Sequence, residues 1–512
     1  MLEALLKEPL GLLSLTDASR RVANGKLNRE TQNAFGQYMT PAPIAAFMAS
    51  LFPAVTKKRV SLLDAGAGVG SLTSAFIERL CGCQSGYEID VDAYEIDPEL
   101  LPYLERNLDL CRTAAAGNGS FMLCRTIGED FIAEASRGIV SANSLWAEDI
   151  KTFTHCIMNP PYKKISRLSH QRACLRNVGI ETVNLYSAFV ALALLLLEDG
   201  GYLVAIIPRS FCNGPYYRPF REFILKHSAL RRIHLFGSRN KAFKEYKVLQ
   251  ENIIVAFERG SRHGDVTVST SADDTFSDIA ISQYPFEQIV KKGDNELFIH
   301  IPTSTDADFL DEAESLCSSL SSVGVQVSTG PVVDFRLKAH LRDMPEYGTV
   351  PLLYPSHFKG QCIQWPLEDG KKPNAIICDK DTRKWLYPNG FYTVVRRLSS
   401  KEEKRRIVAS VVDPAVFSGA EKLGLENHLN VFHSGKRPLP ETLARGLAIY
   451  HNSSAVDDNF RRFSGHTQVN ATDLKLMKYP SRDALIELGK WAMTHREATQ
   501  VMIDEETERI SR

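Results

Sequence analysis

The chain lacks the features that would mark it as stapled, membrane-spanning or strongly charged. Ten cysteines are spread over 512 residues, with only Cys81 and Cys83 close together. No paired CxxC spacing occurs, which argues against a structural zinc site and leaves free thiols in a reducing cytosol as the ordinary reading. An excess of one charge is also missing: 61 Lys plus Arg balance 61 Asp plus Glu, so the strongly basic composition typical of nucleic-acid binders is absent. The longest apolar run, Ala188–Leu197, is half of the ~20 residues a bilayer span needs. Glu3, Lys7 and Glu8 interrupt the apolar N-terminus, which makes it a poor signal peptide. A cytoplasmic protein without membrane contact is expected. There is no internal repeat and no long low-complexity tract. Hydrophobic content of 44% and charged content of 24% are ordinary for a folded chain, and the length suits two or three domains.

The first half alternates strand-like and helix-like segments. Short apolar runs (RVSLL, VDAYEID, THCIM, YLVAIIP and ENIIVAFE) are separated by amphipathic stretches, and VNLYSAFVALALLLLEDGG reads as a long helix stopped by Gly200 and Gly201. Continuous apolar strands alternating with helices predict a doubly wound α/β sheet with buried parallel strands. The pattern decays after Glu258. SRHGDVTVSTSADDTFSDIA reads as a loose β segment or a connector, and beyond residue 300 short β-like pieces with Pro/Gly turns predict a mixed α+β domain. The expected division is a helical segment over 1–30, a catalytic domain over 31–260, a connector over 261–309 and a second domain over 310–512. LSSKEEKRRIV, near residue 400, reads as an exposed helix of mixed charge.

Three motifs carry chemistry. Asp64-Ala65-Gly66-Ala67-Gly68-Val69-Gly70 follows the strand RVSLL. Small residues at a strand's carboxyl end let a ligand approach the backbone beside a helix N-terminus. The GxGxG spacing is not that of a dinucleotide site. Glu95, in Tyr94-Glu95-Ile96-Asp97-Pro98, stands at the end of the next strand, where an acid can accept ribose hydroxyls; Asp97 is the better helix cap. The strongest signal is Asn159-Pro160-Pro161-Tyr162. Pro161 restricts Pro160 to extended backbone. The Asn159 side-chain oxygen and the Pro160 carbonyl are both acceptors and suit a planar NH₂ group. Tyr162 offers an aromatic face. Around these lie Gln37-Tyr38-Met39-Thr40-Pro41, the acid Asp149, and Phe243 among lysines, a pattern suited to base stacking beside phosphate contacts.

In this order, the residues resemble the gamma-class N6-adenine DNA methyltransferases of bacterial restriction–modification systems, over roughly residues 30–260, with a fainter likeness to their target-recognition domains beyond. The resemblance implies a Rossmann-like catalytic domain and S-adenosyl-L-methionine as cofactor. It places Tyr38, Thr40, Pro41, Asp64, Gly66, Gly68, Glu95 and Asp149 around that cofactor. Asn159, Pro160, Pro161 and Tyr162 match the catalytic motif, with Tyr162 and Phe243 on the two faces of a flipped adenine. It implies double-stranded DNA as substrate and a separate restriction endonuclease as functional counterpart, with no metal; a monomer suffices.

Asn-Pro-Pro-Tyr also suits enzymes that methylate a protein glutamine amide or an RNA guanine, and an inactive DNA-binding subunit is a further alternative. The roughly 250 residues after the catalytic region and the Thr40-Pro41 segment before it favour DNA. Segment charges agree: net −6 over residues 1–150, +10 over 151–260 and −4 over 261–512. The neutral total therefore hides a basic block that begins just before Asn159 and includes Phe243, where a DNA backbone would pass.

Overall fold

The computed structural model describes residues 11–27, 38–142, 150–237, 251–302, 318–359, 362–399, 403–463 and 468–511. The chain divides into two compact units, Met1–Ser304 and Thr305–Arg512.

The first unit is built on a nine-stranded sheet. Its strands are β1 (Arg59–Ala65), β2 (Glu88–Tyr94), β3 (Phe121–Ile127), β4 (Phe153–Met158), β5 (Leu197–Pro208), β6 (Ser228–Phe236), β7 (Asn252–Arg259), β8 (Val266–Ser271) and β9 (Ala280–Tyr284). Their spatial order is 3-2-1-4-5-7-6-8-9. β3, β2, β1, β4 and β5 run parallel, whereas β7 lies antiparallel between β5 and β6. The order reverses at β1, whose neighbours are β2 and β4, and such a reversal opens a crevice beyond the strands' carboxyl ends.

Helices cover both faces, as the continuous apolar strands predict. Pleating sends Leu63 and Ala65 of β1 to one face and Val60 and Leu62 to the other. On the first face pack α5 (Phe131–Ala142), α7 (Leu185–Leu196) and α8 (Arg218–His227); on the second pack α2 (Ala42–Ser50), α3 (Ser71–Cys83) and α4 (Leu101–Gly117). The expected N-terminal helix is α1 (Leu12–Lys26), which packs on α3 and α4. α6 (His170–Asn177) follows the Asn159–Tyr162 motif, capped by the Ser169 hydroxyl. α7 ends at Leu196, short of the glycine stop, because Leu197 is drawn into extended backbone opposite Phe153. Gly200, at φ +80°, turns the chain before Tyr202 pairs with His155.

Within the expected connector over 261–309, residues Val266–Ser271 and Ala280–Tyr284 are strands. β8 pairs parallel with β6, and β9 antiparallel with β8, so this stretch closes an otherwise unpaired sheet edge. Its polar composition has a structural use. Ser269 Oγ lies 2.9 Å from His234 Nδ1 and Ser271 Oγ 3.2 Å from His234 Nε2, satisfying a buried imidazole.

The second unit is mixed α+β. A four-stranded antiparallel sheet orders Gln326–Thr329, Leu429–His433, Tyr392–Arg396 and Ala409–Val412, beside a five-stranded sheet and C-terminal helices. The described part of LSSKEEKRRIV is irregular rather than helical. Asp457 Oδ1 accepts the N–H groups of Arg406 and Ile407 at 2.7 and 2.8 Å, and Arg406 is buried. Those N–H groups are thereby lost to a helix. Helices Glu441–His451 and Arg482–Thr494 cross with glycine against backbone: a Cβ on Gly489 would stand 1.7 Å from the Thr442 carbonyl oxygen. Gly489→Ala must push the helices apart and is expected to destabilise the protein by about 3 kcal/mol or more. Denaturant unfolding checks this; an unchanged midpoint would show that the crossing tolerates a side chain.

Candidate functional site

The loops at the β1 reversal enclose a cavity of about 420 Å³, within the size range of small-molecule sites. Its wall brings together residues that the sequence singled out from distant places: Tyr38, Thr40, Gly66, Gly68, Glu95, Asn159 and Pro161. Gly66, Gly68 and Gly70 have φ of +81°, +57° and +83°, a region that only glycine occupies without strain. A Cβ on Gly66 would reach 3.8 Å from the Asn159 carbonyl oxygen and from Phe189, filling the cradle from below.

Glu95, at the end of β2, is buried. Its carboxylate accepts N–H groups from Gly68 and Asp97, each at 2.8 Å. Burial raises its pKa, and these two bonds oppose the rise. Asp97 accepts from Glu99 N–H in the turn before α4, but Leu100 is the N-cap of α4 and no side chain caps it.

Asn159 follows β4, and its orientation is determined. Its amide nitrogen donates to the Tyr38 carbonyl at 2.6 Å and to Thr40 Oγ1 at 3.0 Å. A carbonyl can only accept, so nitrogen must face Tyr38 and Oδ1 must face the other way. Tyr162 Oη lies 2.9 Å from Oδ1 and 3.0 Å from the Ile206 carbonyl oxygen; its single proton has two acceptors to choose between. The Tyr162 ring stands edge-on to Tyr186, centroids 6.3 Å apart, and 6.1 Å from the Tyr38 ring. Burial holds its hydroxyl protonated, well above the usual phenol range. Tyr38 and Thr40 thus line the cavity and also fix the asparagine.

Several expected residues lie elsewhere. Asp64 is not on the cavity wall. It is wholly buried, because its carboxylate turns toward α3 and accepts the Thr73 hydroxyl at 2.6 Å, while Oδ1 has no hydrogen-bond partner. Pro41 serves as the N-cap of α2. Pro160 and Tyr162 do not line this cavity. Asp149 and Phe243 fall outside the described residues.

The cavity also recruits residues that the sequence reading passed over: Glu129, Asp130 and Phe131 after β3, then Lys163, Lys164, Ser166, Ser169 and Gln171. Asp130 Oδ1 accepts the Ile132 N–H at 2.8 Å and Oδ2 accepts the Gln171 amide at 2.7 Å. The signal was available: Gly128-Glu129-Asp130-Phe131 closes the strand run FMLCRTI just as Glu95 closes VDAYEID. Small residues below, carboxylates at two strand ends and apolar walls from Leu100, Phe131 and Phe189 fit a nucleoside cofactor such as S-adenosyl-L-methionine. In the second unit, ligand atoms of His340, Asp379 and Asp381 lie within 4.8 Å of one another, a grouping no spacing revealed; Asp379 Oδ1 already accepts the N–H groups of Asp381 and Thr382.

Burial pushes the Asp64 carboxyl up to about 7 from 3.8, with the Thr73 hydroxyl resisting the rise. The folded state therefore holds this proton more tightly than the unfolded chain. Its contribution to stability is complete below pH ~4 and is lost as pH rises through about 7. Asp64→Asn is expected to flatten that fall by a few kcal/mol between pH 4 and 8, measured by urea unfolding across pH. Parallel curves for the two proteins would refute the assignment.

A family model described as Eco57I restriction-modification methylase matches residues 119–243. The chain is 49% identical over 500 residues to the type II methyltransferase M.BsuBI of Bacillus subtilis, covering 98% of each. It is 42% identical over 512 residues to the type II methyltransferase M.PstI of Providencia stuartii, covering 99% of this chain and 98% of the relative. Among solved structures it resembles that of a DrdV–DNA complex determined by cryo-electron microscopy, with a TM-score of 0.51 at 12% identity over 94% of this chain and 59% of that one; at that identity the likeness concerns the fold. No helix among the described residues is long and apolar enough to cross a membrane. Identity this high, sustained across the full length of two relatives, places the chain in the type II methyltransferases of restriction–modification systems.

Proposed function

We propose that this methyltransferase moves the methyl group of S-adenosyl-L-methionine to the N6 amino group of an adenine flipped out of double-stranded DNA, and so protects host DNA from a separate restriction endonuclease. The observation that carries the reading is the clamped amide of Asn159, with nitrogen held by Tyr38 and Thr40 and Oδ1 turned away from them on the rim of a nucleoside-sized cavity. The basic block over residues 151–260 supports a polyanionic substrate.

The target nitrogen is buried in a duplex, so the base must leave the stack, at a cost of a few kcal/mol. Asn159 Oδ1 and the Pro160 carbonyl then accept the two amino hydrogens. Accepting both draws the nitrogen away from conjugation with the ring and localises its lone pair for attack. The Tyr162 hydroxyl can turn to the Ile206 carbonyl, which releases Oδ1 for the substrate. The Tyr162 ring and Phe243 hold the base's faces. The bound cofactor supplies an electrophilic methyl group on a positively charged sulfur. Glu95 takes its ribose hydroxyls, and Gly66 and Gly68 let it approach the backbone. An acid accepts from the cofactor's adenine; Asp130, on the cavity wall, is a candidate for that role beside Asp149. The rate gain comes from orientation and preorganised acceptors, with no strong base required.

Modification-sensitive sequencing of DNA from cells expressing the protein is expected to show N6-methyladenine at one sequence motif; methylation of another base, or of none, would overturn the reading. Asn159→Ala should lower methyl transfer by about 10³-fold or more while calorimetry shows cofactor affinity within a few-fold of wild type. Phe243→Ala should weaken base capture, read as lost 2-aminopurine fluorescence at the target position, more than it weakens cofactor binding. Asp130→Ala should reduce cofactor affinity roughly tenfold, the worth of one good charge-assisted hydrogen bond. A larger loss in Asp149→Ala would return the role to Asp149.

A further inference from the structure

The turn after the catalytic motif presents an apolar side chain where a folded protein would not ordinarily place one. Leu168 is 96% exposed, and among the large hydrophobic side chains described only Tyr347 is more so. Singly exposed hydrophobics are common and need no explanation, so exposure alone assigns nothing. Position and charge add to it. Leu168 lies between Ser166 and Ser169, both on the cavity wall, and six residues beyond Tyr162. Lys163, Lys164, Arg167 and His170, all exposed, surround it in sequence. The two cations farther along, Arg172 and Arg176, are paired with Glu181, whereas Lys164 and Arg167 have no acidic partner among the described residues.

The turn is also held at both ends. Ile165 is buried and its N–H donates to the Val183 carbonyl at 2.8 Å. Ser169 donates its N–H and its hydroxyl to the Ser166 carbonyl, at 3.1 and 2.9 Å, and its hydroxyl oxygen accepts the Arg172 N–H as the cap of α6. An apolar tip on a fixed turn, ringed by cations at the rim of the site, matches the chemistry of a side chain that enters a base stack while its neighbours meet phosphates.

We propose that Leu168 is a positioning residue that enters the DNA stack at the space left by the flipped target base, with Lys164 and Arg167 on the flanking phosphates. A duplex from which one base has been withdrawn exposes the apolar faces of its neighbours, and an aliphatic wedge removes those faces from water and delays the base's return. This inference rests on the base-flipping reading above and adds to it the group that keeps the base out.

The test uses the full-length protein and a duplex carrying the motif found by sequencing. One form of the duplex has 2-aminopurine at the target position. Another has the target adenine facing an abasic site, so that no pair must be broken. Leu168→Ala is expected to lower kcat/KM on the intact duplex roughly tenfold or more, the loss expected when an apolar side chain buried in the complex is truncated. On the abasic-partner duplex the loss should be no more than about twofold, and Leu168→Phe should restore activity on the intact duplex. The side chain is exposed, so thermal unfolding and cofactor affinity should match wild type. Equal activity of Leu168→Ala and wild type on the intact duplex, or an equal loss on both duplexes, overturns the proposal while a wild-type 2-aminopurine signal leaves base flipping intact. A wild-type protein that gives no such signal overturns both.

Discussion

The reversal of strand order at β1 is the constraint on which the rest of the molecule depends. β1 is paired in parallel on both sides, with β2 and with β4, so the chain leaving its carboxyl end cannot follow either neighbour. The connections depart in opposite directions, and the crevice between them is where the glycine turn, Glu95 and Asn159 converge. Parallel pairing also requires long crossovers, which supply the helices that bury both faces of the sheet. The cavity is therefore a consequence of topology before any side chain is specified.

Within that crevice, one amide is held in a fixed orientation. The segment Tyr38–Thr40 is far from Asn159 in sequence, yet it offers the carbonyl and hydroxyl that fix which end of the asparagine faces outward. The same residues line the cavity. The cavity and the proposed reaction site thus share a wall, and a cofactor that ordered this segment would also order Asn159. Buried carboxylates add a second level of organisation. Glu95 has two backbone donors, whereas Asp64 has the Thr73 hydroxyl on one oxygen and no partner on the other, an arrangement that disfavours its ionised form.

Much of this was legible in the chain itself. Continuous apolar runs identified β1, β2, β4, β5 and β7, since strands buried on both faces need no alternation. The motifs after three of them marked the crevice. What escaped detection was polar or spatial. β8 stayed open between a loose β segment and a connector because its serines resemble loop residues, yet they bond a buried His234 in the neighbouring strand. β3 was overlooked because, at the sheet's edge, it is only partly buried and exposes Phe121 and Leu123, so its acid, Asp130, was overlooked too. The basic segment near residue 400 read as a helix, and Asp457, some fifty residues later, takes the N–H groups that a helix would need.

The sequence by itself determined the class of fold, the order of the motifs and the chemical character of the Asn159–Tyr162 turn. These follow from local rules: burial pattern, glycine at positive φ, and the stiffness of Pro160-Pro161. Only the tertiary structure decided which way the Asn159 amide faces, that Asp64 sits beneath the turn instead of on the cavity wall, and that Lys163, Lys164 and the turn around Leu168 belong to the site's rim. Those facts depend on partners distant in the chain, and no spacing rule encodes a hydrogen bond between residues that the fold alone brings together.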